Sequence, residues 1–223
     1  MLNNKNKKLL LFDYDGTLVD SAKMIIDGTI EAFNRCGLAT PEPEKIKAGI
    51  GQKLDIAIKS YLPLGHKGML NQVIRHYQQW YFEKDLEGKQ FEPLFENIKP
   101  VLERLHKDGW CLGIATNKSL RGLNRGLQHH EIEKFFSIIL TTDKFVPKPN
   151  KTMAIHALKK LKIKKSEAFM IGDTVHDIKM GKNANINTIG VTWGYNNQEE
   201  LHRENADRVV NHPSELVEIL GEY

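Results

Sequence analysis

Leu9-Leu10-Leu11-Phe12-Asp13-Tyr14-Asp15-Gly16-Thr17-Leu18-Val19-Asp20-Ser21 is the stretch whose reading decides the fold. Its apolar run over residues 8–12 suits a strand buried on both faces, as in a parallel sheet. The run stops abruptly in two aspartates one residue apart, then Gly16-Thr17. Both carboxylates are thereby delivered to the carboxyl end of a strand, where open α/β sheets keep their ligands. Side chains alternate along a strand, but a bend just past its end brings both acids to one ligand. Crowded carboxylates repel unless a cation sits between them or one keeps a proton. That is equipment for metal-assisted chemistry on an anion.

Outward from this stretch the periodicity changes. From Ser21 the residues Ala22, Ile25, Ile26, Thr29, Ile30 and Phe33 fall at helical spacing. Ser21 is a natural N-cap, and Gly37 a natural residue just past the helix end. Pro41 and Pro43 break the chain, and a short helix follows near 44–48. Gly49-Ile50-Gly51 reads as a turn, and 53–61 and 67–86 as two more helices. No strand is expected between 21 and 90, which makes this helical block a candidate separate domain.

From Pro93 the pattern alternates. A helix at 98–108 stops at Gly109, a strand follows at 110–115, a helix near 120–129 and a strand at 137–141. Residues 152–162 are amphipathic, 168–171 a short buried strand, 176–184 a helix and 187–191 a strand. Helix, strand and helix at 199–205, 208–210 and 214–220 complete the series. Strands alternating with helices imply parallel βαβ units with right-handed crossovers. The fold class is α/β, a Rossmann-like parallel sheet flanked by helices with an inserted all-helical domain. The expected division is residues 1–17 and 91–223 for the sheet domain and 18–90 for the helical one.

Composition bounds the function. With 223 residues, 40% apolar and 27% charged, the chain has the make-up of an ordinary globular protein. A net charge of +4 suits small anionic substrates and does not call for nucleic acid. Lys159, Lys160, Lys162, Lys164 and Lys165 read as a solvated helix end favoured by the helix dipole. Cys36 and Cys111 form no C-x-x-C pattern and read as reduced, buried thiols. Polar residues 3–8 precede an apolar run too short for a signal peptide, and no segment has transmembrane length. A cytoplasmic protein without a membrane or nucleic-acid partner is expected, as a monomer or homodimer.

Three further features join the acid pair. Thr116-Asn117 puts a hydroxyl and an amide where a strand gives way to a helix. Lys148-Pro149 precedes the 152–162 helix. The 168–171 strand runs into Gly172-Asp173-Thr174-Val175-His176-Asp177, whose two acids are four apart, so Asp177 can turn back towards the strand end. Each has a plain reading alone: Thr116, Asn117, Asp173 or Thr174 as a helix cap, Lys148 as a solvated loop lysine. Together they place four acids, one hydroxyl and one lysine on one rim of a sheet.

In this order the motifs Asp13-x-Asp15-Gly16-Thr17-Leu18-Val19-Asp20-Ser21, Thr116-Asn117, Lys148-Pro149 and Gly172-Asp173-Thr174-x-x-Asp177 resemble those of the haloacid dehalogenase superfamily. The resemblance runs nearly end to end, and the helical insertion is similar to the family's small helical cap. Gly190-Val191-Thr192-Trp193-Gly194-Tyr195 and Ala206-Asp207-Arg208-Val209-Val210 resemble phosphoglycolate phosphatases within it. The resemblance implies that Asp13 is the nucleophile forming an aspartyl-phosphate and Asp15 the general acid and base. It implies Mg2+ held by the Asp13 carboxylate, the Asp15 carbonyl and Asp173. Gly16, Thr116, Asn117 and Lys148 would bind the phosphoryl oxygens, with Asp177 orienting Lys148 or a metal-bound water. Family dehalogenases lack an acid at the Asp15 position, so a phosphate ester is the expected substrate, phosphoglycolate first.

Tyr14, where many relatives carry leucine, should point away from the two acids. Substrate choice is expected from the cap turn, at Gly51, Gln52 and Lys53. Lys53 could meet a substrate carboxylate or form a Schiff base, as in the family's phosphonoacetaldehyde hydrolases. The cluster Tyr77, Trp80, Tyr81 and Phe82 reads as packing within the cap. The alternatives are a sugar-phosphate mutase that keeps the aspartyl-phosphate and, in another class, a phospho-receiver signalling domain.

Overall fold

The computed structural model describes residues 8–88 and 92–223. The polar segment 3–7 and the expected domain boundary near residue 90 lie outside the described residues. Six parallel strands form one sheet: β1 (Leu9–Phe12), β2 (Cys111–Thr116), β3 (Phe136–Thr141), β4 (Ala168–Gly172), β5 (Asn187–Val191) and β6 (Arg208–Val210). Their order is β3-β2-β1-β4-β5-β6, so β1 lies inside the sheet, between β2 and β4. The helices are α1 (Ala22–Arg35), α2 (Pro43–Ala48), α3 (Leu54–Tyr61), α4 (Leu70–Leu86), α5 (Ile98–Lys107), α6 (Leu120–His129), α7 (Thr152–Leu161), α8 (Val175–Ala184), α9 (Gln198–Arg203) and α10 (Glu215–Leu220).

The continuous apolar run of β1 has its reason in the layers. Leu10 and Phe12 join one core cluster, with α5, α6 and α10, while Leu9 and Leu11 join another, with α7 and α8. All four side chains are buried, each contributing about 1.5–3 kcal/mol relative to exposure. A strand so enclosed cannot slip register without driving a leucine into the wrong layer. The registry of its end, and of Asp13 beyond it, is therefore fixed by the core.

Between β1 and α5 the described residues form the helices α1 to α4, with a core of their own around Phe33, Ile46, Ile58 and Val73. The expected elements appear within a residue or two of their anticipated bounds, with local corrections. Ser21 precedes α1 but makes no side-chain cap bond; its hydroxyl lies 3.0 Å from the Tyr195 hydroxyl. Cys36 and Cys111 are free but only half-buried. The lysines around the end of α7 are exposed, as expected. Among the described residues no helix is long and apolar enough to cross a membrane.

Candidate active site

β1, β2 and β4 end side by side, which brings residues distant in sequence to one rim. Asp13 extends β1 by one hydrogen bond, its N–H donating to the Ile171 carbonyl at 2.9 Å. That bond sets Asp13 next to the end of β4, where Asp173 follows. Lys148, fully buried at its side chain, bridges two carboxylates: its Nζ lies 2.7 Å from Asp13 Oδ1 and 2.6 Å from Asp177 Oδ1. Asp177 sits in the first turn of α8 and turns back to the strand end. Its Oδ2 accepts from the Thr174 N–H at 3.0 Å and from the Thr174 hydroxyl at 2.7 Å. Both its oxygens are thus engaged, which suits a residue that orients Lys148.

Asp173 is wholly buried. The Thr17 hydroxyl donates to its Oδ1 at 2.8 Å and the Tyr195 N–H to its Oδ2 at 3.0 Å. Gly16 makes room for it. A Cβ at Gly16 would stand 2.2 Å from Asp173 Oδ2, and its φ of +82° lies in the left-handed region that disfavours other residues.

Electrostatically the cluster is short of positive charge. Oxygens of Asp13, Asp173 and Asp177 lie within 4.8 Å of one another, with one ammonium among the three acids. Burial pushes the Asp13 carboxyl up to about 7, and Asp177 adds to the rise, against the opposing pull of Lys148. Burial, then the charges of Asp177 and Asp13, hold Asp173 well above the usual carboxylate range. Asp13 Oδ1, although near Lys148, lacks a hydrogen bond of good geometry. An oxygen-rich, buried, negatively unbalanced set fits a hard divalent cation such as Mg2+. Asp13, Asp173 and Asp177 are the acids whose oxygens come together there.

A second ion cluster flanks the first. Lys118 Nζ lies 2.8 Å from Asp15 Oδ1 and 2.9 Å from Glu92 Oε1. Burial works against this ammonium, but Asp15 and Glu92 outweigh it and hold its pKa well above the ordinary lysine value. Thr116 is buried at the end of β2, and its Oγ1 accepts from the Lys118 N–H at 3.2 Å.

Asn117 is used on backbone groups. Its Oδ1 accepts from the Lys148 N–H at 2.9 Å, and its Nδ2 donates to the Gly51 carbonyl at 2.8 Å. It thus joins the Lys148 loop to the turn between α2 and α3. Gly51 needs its glycine: φ is +91°, and a Cβ would come within 2.8 Å of Thr174 Cγ2.

A cavity of about 510 Å³ opens between this rim and the helical block. Asp13, Asp15, Thr116 and Asn117 line it from below, and Gln52 and Lys53 from the α2–α3 turn. Lys53 also pairs with Asp55 at 3.0 Å. The sheet-rim residues singled out in the sequence therefore converge, and the cap turn faces them.

Tyr14 is fully buried in the core with α5 and α6, away from the cavity. The aromatic cluster of α4 packs as expected in part: Trp80 is buried, Tyr77 packs against the core of the helical block, and both touch or adjoin Tyr81. Tyr77 and Tyr81, one turn apart, also wall the cavity, and Phe82 is 41% exposed. Lys118 and Glu92 were not singled out from sequence, and Thr17 and Tyr195 stood in its motifs without an assigned role. Lys118 directly follows Thr116-Asn117, a position from which a side chain reaches the same rim; Glu92 carried no local signal.

Comparison with known proteins agrees with this geometry. Residues 10–191 match the haloacid dehalogenase-like hydrolase family. A phosphoglycolate phosphatase from Vibrio parahaemolyticus is 30% identical over 225 residues, covering 99% of either chain. The pyrophosphatase PpaX of Anoxybacillus flavithermus is 30% identical over 218 residues, covering 97% of this chain and 98% of that one. A crystal structure of a predicted phosphatase from Clostridium acetobutylicum superposes with a TM-score of 0.85 at 26% identity, over 98% of this chain and 100% of the other. The chain belongs to the haloacid dehalogenase-like hydrolase family, among relatives that are phosphatases.

Proposed function

We propose that this hydrolase is an Mg2+-dependent phosphatase of a small phosphorylated metabolite, phosphoglycolate first, acting through an aspartyl-phosphate. The observation that carries the reading is the buried meeting of Asp13, Lys148 and Asp173 beneath a cavity that Asp15 also lines. Asp13 attacks phosphorus as the bond to the leaving oxygen breaks, and Asp15 gives that oxygen its proton. Asp15, now ionised, takes a proton from the water that attacks the phosphoaspartate. The Asp13–phosphorus bond breaks, and both acids are restored. Lys148 and Thr116 face the equatorial oxygens, where transition-state charge gathers; the Gly16 N–H, expected there, is instead donated to the Val19 carbonyl at 2.9 Å. Asn117 contributes indirectly, by holding the Lys148 loop through the Lys148 N–H. Asp177 keeps the Lys148 ammonium in place.

The cation would be held by the carboxylates of Asp13 and Asp173 and the carbonyl of Asp15. When bound, Mg2+ supplies a Lewis acid that offsets repulsion between an anionic nucleophile and an anionic ester. Residues 18–90 act as the cap. Its Gly51-Gln52-Lys53 turn meets the leaving portion of the substrate, where discrimination between esters must reside.

A second substrate, pyrophosphate, is favoured by one observation. Arg121 and Arg125, one turn apart on α6, add positive charge to the cavity lining, Arg125 pairing with Asp85 at 3.3 Å, and one full-length relative is a pyrophosphatase. Phosphate release from a panel of phosphoglycolate, pyrophosphate, hexose phosphates, nucleotides and phosphonoacetaldehyde at saturating Mg2+ decides between them. Phosphoglycolate should lead the panel, and excess chelator should abolish turnover. Full activity in chelator would contradict the metal assignment. A large excess of isomerised sugar phosphate over free phosphate would point instead to a mutase.

A further inference from the structure

Lys118 is a buried cation with no place in the reaction as set out above. Its side chain is 11% exposed and closed in on several sides. Asp15 Oδ1 and Glu92 Oε1 take its N–H groups, and its Nζ stands 5.5 Å from the ring centre of Tyr14 and 5.9 Å from that of Tyr81. Glu92 is itself 5% exposed. Its carboxylate lies 3.4 Å from the Tyr81 hydroxyl of α4, and its carbonyl oxygen is 2.8 Å from His130 Nε2. A lysine serving only solubility would keep its head in water. This one is held against the carboxylate that carries the proton.

We propose that Lys118 is the positioning residue of the proton-transfer step. It grips Asp15 by Oδ1, which leaves the other oxygen to face the ester oxygen in the cavity. Glu92 fixes Lys118 from behind, and Tyr81 ties that anchor to the helical block. Among the described residues no other side chain hydrogen-bonds the Asp15 carboxylate, so without Lys118 only packing orients it. The inference rests on the reading of Asp15 as proton carrier. Lys118 lines the cavity beside Asp15; in this proposal its part is to hold Asp15, and proton transfer remains between Asp15 and the leaving oxygen.

The test compares kcat/KM across phosphate esters whose leaving alcohols span a range of acidity. This constant reports the steps up to departure of the alcohol, and acidic aryl alcohols leave without a proton whereas alkyl alcohols need one. Lys118→Met should lower kcat/KM for alkyl phosphates by about 10²-fold, the scale of a misplaced catalytic group. It should leave the best aryl phosphates within a few-fold. Asp15→Asn should show the same bias more strongly, and adding Lys118→Met to Asp15→Asn should cost little more. Lys118→Arg, which keeps a cation, should recover part of the alkyl activity.

An equal loss for aryl and alkyl esters in Lys118→Met, or full additivity with Asp15→Asn, overturns the proposal while Asp15 keeps its role. A flat profile in Asp15→Asn itself overturns both. Should Lys118→Met fail to fold, Lys118→Met with Glu92→Gln removes the cation and one anion together, and the same profile applies.

Discussion

Two buried lysines stand at the tip of β1, each holding one acid of the Asp13-x-Asp15 pair, and they differ in surroundings. Lys148 is sealed: its side chain and those of Asp13 and Asp177 are at most 2% exposed. Lys118 and Asp15 remain 11% and 13% exposed, on the side of the cavity and the helical block. The sealed cluster holds three acids about one cation and fits a metal. The cavity-facing one holds two carboxylates and fits a proton carrier that must meet its substrate. Asp13 and Asp15 both line the cavity, so it is the company each keeps, an acid cluster about Lys148 for one and the Lys118–Glu92 pair for the other, that separates their roles.

Lys148→Met should give the largest effect on stability. It strands two buried carboxylates, so about 3–5 kcal/mol of stability should vanish and kcat should fall by about 10²–10³-fold. Denaturant unfolding and phosphate release read these directly. Lys118→Met should destabilise less, about 1–3 kcal/mol, because its partners can turn towards water. Equal destabilisation of the two variants would erase the distinction between the clusters.

Gly51→Ala probes the contact between the helical block and the rim. The left-handed backbone adds about 1–2 kcal/mol of strain, and the new methyl group meets Thr174. KM should rise more than kcat falls; a kcat loss at constant KM would remove the turn from substrate binding. The smallest effect belongs to Arg35→Ala. Its pairs with Glu31 and Glu83 are partly exposed, worth about 0–1 kcal/mol, and kcat should not change.

The sealed cluster was largely legible in the chain, because each member sits at the end of an apolar run. A strand ending at Phe12, Ala115 or Ile171 delivers whatever follows to the same rim, so Asp13, Thr116 and Asp173 could be grouped without coordinates. Asp177 followed from helical spacing. The cavity-facing cluster was less legible. Lys118 was readable as a rim residue, but its partner Glu92 depends on how the chain returns from the helical block, which no local pattern encodes. Tyr77 and Tyr81 share a helical face by spacing alone, yet spacing cannot say whether that face meets core or cavity. Asn117 has the residue type of a phosphate ligand; its amide instead joins two loops, a choice set by where Gly51 folds.

The most direct test of the nucleophile is Asp13→Asn, assayed at saturating Mg2+ alongside its unfolding curve. The account predicts a folded protein whose kcat/KM for its best ester falls by about 10⁴-fold or more. A folded variant within about tenfold of the parent would mean that the phosphoryl group never passes through Asp13.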